Sequence, residues 1–257
     1  ASGPFWRSKD GMQYLRADAM IYYQHFYPSS IDPLLLDAYL SKGWYRIQQM
    51  LITTDLITKE NEFLAVFWLR YRLTTYAHST KSKKLLKAAA HFSIAIEDLQ
   101  LNEELEALFT RYRSAIDFDM SDTVQGYLLG DRSASVFPTK AITIRYEGTL
   151  IAAGCYDEGE QSTMGILNIY DPAYKKYSLG KVLVLLKLEE AMRQGKTFFY
   201  PGYISIHNNK FDYKLFPDLQ CTDVYNRLTD EWLPYGTMDL QQLHAEMIRV
   251  FLKPQSE

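Results

Sequence analysis

Residues 171–183 read Asp171-Pro172-Ala173-Tyr174-Lys175-Lys176-Tyr177-Ser178-Leu179-Gly180-Lys181-Val182-Leu183, and this passage from strand to helix decides the fold. Before it, residues 164–170 form an apolar run of strand type that Asp171-Pro172 ends. After it, residues 178–194 carry Leu179, Val182, Leu183, Leu186 and Met192 at helical spacing, and Gly195 stops the helix. A glycine at a helix start lets a ligand come close to the backbone. The free N–H groups of the first turn, with about half a positive charge from the helix dipole, hold an anion. A plain capped helix start would use the same residues and is the better reading of Gly180 alone; the order of the surrounding elements is what favours an anion or donor site.

Downstream, residues 197–200 read as a short apolar strand, 207–215 as a short helix, 221–226 as a strand and 239–252 as a closing helix. Upstream, period-two runs at 140–146 and 149–156 flank a tight turn at Glu147-Gly148. Residues 121–130 form a helix capped by Ser121 or Asp122 and closed by Gly130. Residues 102–115 form another, with Asn102 as cap, Glu103, Glu104 and Glu106 at the positive end and Arg111 and Arg113 at the other. A strand begins at His91. Residues 81–87 are the densest basic stretch. Further upstream come a strand over 63–73, a polar turn over 55–62 and a strand over 44–54. The helix before them is opened by Asp32-Pro33 and stopped by Lys42-Gly43. Residues 1–30 are aromatic and irregular. The whole predicts a mixed α+β fold.

Composition bounds the function. With 257 residues and 47% hydrophobic side chains, the chain can bury a substantial core. A formal net charge of −3 supplies no global field for nucleic acid, so any RNA contact needs a local basic patch. The 20 tyrosines suit stacking surfaces or simply an aromatic core. Two cysteines, Cys155 and Cys221, cannot build a four-thiolate metal site or a disulfide framework. No apolar run approaches the roughly 20 residues of a membrane span. The first residues carry no signal-peptide pattern, so a cytoplasmic protein is expected, without metal or membrane.

Several collinear motifs resemble the arginyl-tRNA–protein transferases and their bacterial leucyl/arginyl relatives. They are Leu40-Ser41-Lys42-Gly43-Trp44-Tyr45-Arg46, Tyr170-Asp171-Pro172, Tyr177-Ser178-Leu179-Gly180, Phe199-Tyr200-Pro201-Gly202-Tyr203-Ile204 and Phe211-Asp212-Tyr213-Lys214, spread over about residues 18–220. The element order from residue 91 also matches the GNAT-type acyl-CoA N-acyltransferase fold. The resemblance implies a small N-terminal α/β subdomain over 1–78, a GNAT-fold catalytic domain over 79–230 and a helical extension over 231–257. Two departures stand out. The family's cysteine cluster, associated with metal or iron–sulfur binding, has no counterpart between residues 50 and 68. Pro201 stands where the family more often has an aliphatic residue, and it removes one backbone donor.

The activity implied is transfer of an amino acid, of arginine or leucine type, from aminoacyl-tRNA to the N-terminal amine of a protein or peptide by direct aminolysis. It needs no cofactor. The attacking amine has an ordinary pKa near 8, so positioning and charge support matter more than an enzyme nucleophile. Asp171, Tyr200, Tyr203 and Lys214 are the catalytic candidates. Asp171 either orients the amine or caps its loop. Lys214 either meets phosphate or acceptor, or is a solvated helix residue. Tyr177, Ser178, Leu179, Gly180, His207 and Asn208 are candidates for holding the donor. Lys81, Lys83, Lys84 and Lys87 would contact the tRNA backbone, or form a solvated face. Two rivals share the fold: an acetyl-CoA-dependent N-acetyltransferase, disfavoured because Lys181-Val182 replaces the second small residue of a CoA turn, and a non-catalytic binding protein.

Overall fold

The computed structural model describes residues 23–59, 61–117, 120–206 and 208–252. Part of the irregular stretch expected over 1–30, the candidate His207 and the last residues of the 231–257 extension lie outside that set. The first third of the chain contains β1 (Gln24–Phe26), α1 (Pro33–Leu40), β2 (Tyr45–Ile47), β3 (Met50–Thr53), β4 (Leu56–Lys59), β5 (Glu62–Ala65) and β6 (Phe67–Arg72). The middle contains α2 (Thr80–Ala89), β7 (Ser93–Asp98), α3 (Glu103–Arg113), α4 (Val124–Leu129), β8 (Thr139–Tyr146), β9 (Thr149–Glu158) and β10 (Ser162–Tyr170). Then follow a 3-10 turn (Pro172–Tyr177), α5 (Leu179–Arg193), β11 (Phe198–Ile204), a second 3-10 turn (Asn209–Leu215), β12 (Thr222–Asn226), β13 (Glu231–Pro234) and α6 (Leu240–Leu252).

Side-chain caps start the helices. Asp32 accepts from the Leu35 amide at 2.9 Å, Ser79 from Ser82 at 3.1 Å and Asn102 from Leu105 at 2.9 Å. In α4 the cap is Thr123, bonded to the Gly126 amide at 2.9 Å, rather than Ser121 or Asp122. The basic stretch 81–87 proves to be helical. Its Ser82 and Ala89 are buried, while Lys81, Lys83, Lys84 and Lys87 all face solvent.

Among the described residues, eight strands form one sheet in the order β13-β12-β6-β11-β10-β9-β8-β7. Every pairing in it is antiparallel except β10 with β11. Helix α5 crosses between these two parallel strands and packs on β8 and β9 with α2, through Leu179, Val182, Leu183 and Phe92. Helices α3 and α4 pack on β9 and β10 through Leu105, Leu108, Phe109 and Leu128. Helix α6 covers β6 and β12 with Leu240, Leu243 and Met247. From residue 91 the element order read from the sequence is found as far as β12, but the helical extension expected over 231–257 begins with β13, which pairs with β12 at the edge of the large sheet before α6 follows.

Three expectations for the first third need correction. The strand expected over 44–54 is a hairpin, because Gln48 takes a left-handed φ of 54° and turns β2 back onto β3. The polar turn expected over 55–62 contains β4, and the strand expected over 63–73 is two strands. β5 pairs with β4 around Asn61 (φ 67°), and the chain then passes to β6 in the large sheet. The boundary expected after residue 78 does not separate two cores, since β6 lies inside the large sheet between β12 and β11.

Candidate functional site

Strands β10 and β11 pair only at Ser162↔Phe198, Thr163↔Phe199 and Met164↔Tyr200, and then part. Each strand has a register shift at that level, β10 against β9 between Gly165 and Leu167, β11 against β6 between Phe199 and Gly202. The local sequence explains the parting. Pro201 has no N–H to give a neighbour. Gly202 adopts φ +97°, a conformation open to glycine, and a Cβ there would lie 3.1 Å from Lys214 Nζ. The gap continues into a cleft of about 800 Å³.

One side of the cleft is the first turns of α5. Ser178, Gly180, Lys181, Val184 and Lys187 line it, at the spacing of a single helix face. Ser178 sits in the left-handed region (φ 53°) and makes no side-chain cap bond to α5. Lys175 and Lys181 add positive charge to the positive end of the helix dipole at this mouth. The opposite wall is aromatic. Tyr203 meets Trp68 edge-on at 5.2 Å, Tyr45 lies 5.9 Å from Trp68, and Tyr71 stacks on Phe199 at 5.7 Å. Lys214 Nζ donates to the Tyr203 carbonyl at 2.8 Å. The Tyr45 hydroxyl donates to the Gly165 carbonyl, and the Tyr71 hydroxyl to the Lys214 carbonyl.

Burial sets the charge states. It raises the Tyr45 and Tyr71 phenols well above their usual value, and lifts those of Tyr112 and Tyr127 to about 12. These side chains are therefore neutral hydrogen-bonding groups at physiological pH. Burial also lifts the Cys155 thiol to about 11 and raises that of Cys221, so neither is an activated nucleophile. The same desolvation pushes the Lys187 ammonium down to about 7. The lining includes Arg46, Lys175, Lys181, Lys187 and Lys214 and, among the described residues, no aspartate or glutamate. Arg46 is neutralised from behind by Asp157, at 2.8 Å, with Thr139 joining both.

Of the candidates named from the sequence, Ser178, Gly180, Tyr203 and Lys214 line the cleft. Others are placed elsewhere. Tyr200 is 5% exposed and packs with Met164 and against Trp232. Side chains alternate along β11, so with Phe199 and Tyr203 in the cleft lining, Tyr200 turns away from it. Leu179 is wholly buried in the α5 core. The Tyr177 ring sits among His91, Phe92 and Tyr174. Asp171 spends one oxygen on the Ala173 amide and the other on Arg111, at 2.9 and 2.8 Å, which is the capping alternative. Asn208 forms an isolated bridge with Ser205. The four α2 lysines stand on an exposed face of a helix that packs against α5 and the 3-10 turn before it.

Sequence reasoning missed Tyr45, Trp68, Tyr71, Asn168 and Lys187. The first three come from the segment assigned to a separate subdomain. Lys187 carried a usable signal. It follows Leu179 and Leu183 at steps of four along the apolar face of α5, where a solvated lysine does not belong.

Residues 104–220 match the family model described as arginine-tRNA-protein transferase, C terminus. Among characterised proteins, an aspartate/glutamate leucyltransferase from Leptospira interrogans is 27% identical over 200 residues, covering 74% of this chain and 75% of the relative. The enzyme of the same name from Shewanella amazonensis is 26% identical over 192 residues, covering 72% and 76%. That from Helicobacter hepaticus is 23% identical over 212 residues, covering 77% and 83%. Among solved structures, a putative acetyltransferase of the GNAT family from Novosphingobium aromaticivorans superposes with a TM-score of 0.37 at 13% identity, covering 79% of this chain and 69% of its own.

Proposed function

This chain belongs to the aminoacyl-tRNA–protein transferase family, and from that premise we propose that it moves leucine from charged tRNA to proteins whose first residue is aspartate or glutamate. The observation that carries the choice is the lining of the cleft, which offers aromatic and apolar surface with five basic side chains and, among the described residues, no carboxylate. An arginyl group would bring a guanidinium into this space without a counter-charge, at a desolvation cost of several kcal/mol. A leucyl side chain needs only the apolar surface around Trp68, Tyr71, Phe199 and Val184. An acidic acceptor residue gains the field of the lysines.

The reaction is direct aminolysis. With both cysteines buried and unactivated, no acyl-enzyme is required, and no cofactor beyond the charged tRNA enters. The ester carbonyl lies where β10 loses its partner after Met164, against the β10 edge. The phosphates of the tRNA end lie at the α5 start, near Ser178, Lys175 and Lys181, and the exposed lysines of α2 carry the tRNA backbone. Charged tRNA places this work in the cytoplasm. No helix of the described residues is long and apolar enough to cross a membrane.

The test offers the purified protein Leu-tRNA and Arg-tRNA, with peptides beginning Asp, Glu, Ala or Lys, and follows peptide mass. Leucine should appear on the Asp and Glu peptides. Faster transfer of arginine, or equal use of Lys-initial peptides, would overturn the reading.

A further inference from the structure

The geometry points to Lys187 as the base that takes the proton from the attacking α-amine, with Asn168 holding that amine beside it. This rests on the aminolysis reading above.

Lys187 is 1% exposed, yet it lines the cleft. Its Nζ donates to the carbonyls of Cys155, at 2.6 Å, and Leu167, at 2.9 Å. Among the described residues it has no carboxylate within ion-pair distance. A neutral amine has two N–H donors and one lone pair. Two carbonyls satisfy those donors completely and leave the lone pair for a ligand. An ammonium would carry a third N–H and a full charge into a site with no fixed anion. The titratable and charged neighbours are Cys155 and Asp157 on β9, with Arg46 on β2 neutralising Asp157, and the phenols of Tyr45, Tyr71 and Tyr127 across the cleft. Desolvation outweighs the attraction of Cys155 and Asp157 and brings Lys187 to about 7, suited to accepting a proton near neutral pH.

Asn168 supplies an independent sign. Its Oδ1 is buried without a hydrogen-bond partner, and the residue lines the same cleft. A buried acceptor left unsatisfied is unfavourable, so it fits a donor that arrives with substrate. Gly154 brings the two groups together. A Cβ there would lie 2.9 Å from both Asn168 Oδ1 and Lys187 Cε, so only glycine leaves room for both.

The chemistry balances without another reactant. The acceptor nitrogen forms its bond to the leucyl carbonyl carbon while a proton passes from that nitrogen to Lys187 Nζ, and the proton is returned to the terminal ribose oxygen as the ester C–O bond breaks. Lys187 ends neutral, as it began.

The experiment measures single-turnover transfer from Leu-tRNA to an Asp-initial peptide across pH for the wild type, Lys187→Met and Lys187→Ala. Lys187→Met keeps the volume and should lose about a hundredfold or more in rate, with tRNA binding unchanged. Added 2,2-difluoroethylamine, 2-fluoroethylamine or ethylamine, a series of similar size and rising basicity, should partly restore Lys187→Ala, the more basic free amine restoring more. In the wild type, acetylation of Lys187 by dilute acetic anhydride, read by mass spectrometry, should titrate near neutrality. A folded Lys187→Met within threefold of the wild type, rescue that ignores amine basicity, or titration at the ordinary lysine value would overturn the proposal. The last readout decides the matter even where the variants do not fold. No transfer by the wild type overturns the functional reading and this proposal together, whereas an active wild type with an active Lys187→Met overturns this one alone.

Discussion

Two buried basic side chains behave differently because one has a counter-charge and the other has none. Arg46 is 2% exposed and bonds Asp157, Thr139 and the carbonyls of Gln48 and Leu128. Removing one partner leaves a bare charge, so Arg46→Met should cost about 3–5 kcal/mol in urea unfolding, while Arg46→Met with Asp157→Leu should recover much of that. A double variant no better than the single one would show that the pair is worth more than its desolvation. Lys187 gives the opposite signature. Its folded pKa is about 7, below the ordinary lysine value, so between those two pH values the unfolded chain binds the extra proton. Stability therefore rises with pH through that window, and the penalty is fully present below it. Unfolding measured from pH 6.5 to 9.5 should show the wild type gaining stability relative to Lys187→Met, and parallel curves would contradict the low pKa. Part of the cleft lining was readable at this scale. Ser178, Gly180, Tyr203 and Lys214 were reached through the passage from β10 into α5 and the motifs after it. Tyr200 was misplaced although the strand period bore on it, since it lies three residues before Tyr203 and alternation along β11 puts the two on opposite faces. The pairing of Asn168 with Lys187 was invisible because it depends on the missing side chain of Gly154, one strand away.

The parted strands and the lysine-bearing helix make separate demands on their elements. At Gly202 the φ of +97° and the nearby Lys214 amine leave no comfortable place for a methyl group. Gly202→Ala should cost about 1–3 kcal/mol and reduce transfer, because Lys214 must leave the Tyr203 carbonyl. Thermal unfolding and the transfer assay on the same preparation check both, and unchanged values would mean that the gap adapts freely. In α2, glutamine at Lys81, Lys83, Lys84 and Lys87 should weaken tRNA binding for all tRNAs alike. It should also flatten the dependence of log affinity on log salt by roughly one for each lost phosphate contact. An unchanged slope would leave that face merely solvated. Strong periodicity made α3, α5, β8, β9 and β10 legible. The β2–β3 and β4–β5 hairpins were not, because Gln48 and Asn61 turn the chain without the usual Asn-Gly or Gly pair.

The molecule as a whole is less divisible than its motifs suggest. Strand β6 joins β11 and β12, and α6 packs over them, so the first and last thirds of the chain share one core. A fragment of residues 79–257 should therefore lack a cooperative thermal transition, while the full chain should show a single one by tryptophan fluorescence and circular dichroism alike. A sharply melting fragment would restore the boundary after residue 78. That boundary came with the family resemblance, and nothing in a linear reading reports that Phe67–Arg72 is an internal strand.

The same arrangement orders events on the ribosome. Phe67-Trp68-Leu69-Arg70-Tyr71-Arg72 is synthesised early, but both strands that flank it arrive more than 120 residues later. Until then the nascent chain presents a hydrophobic ribbon with two open edges, the kind of surface that holding chaperones bind and that drives aggregation when synthesis outpaces them.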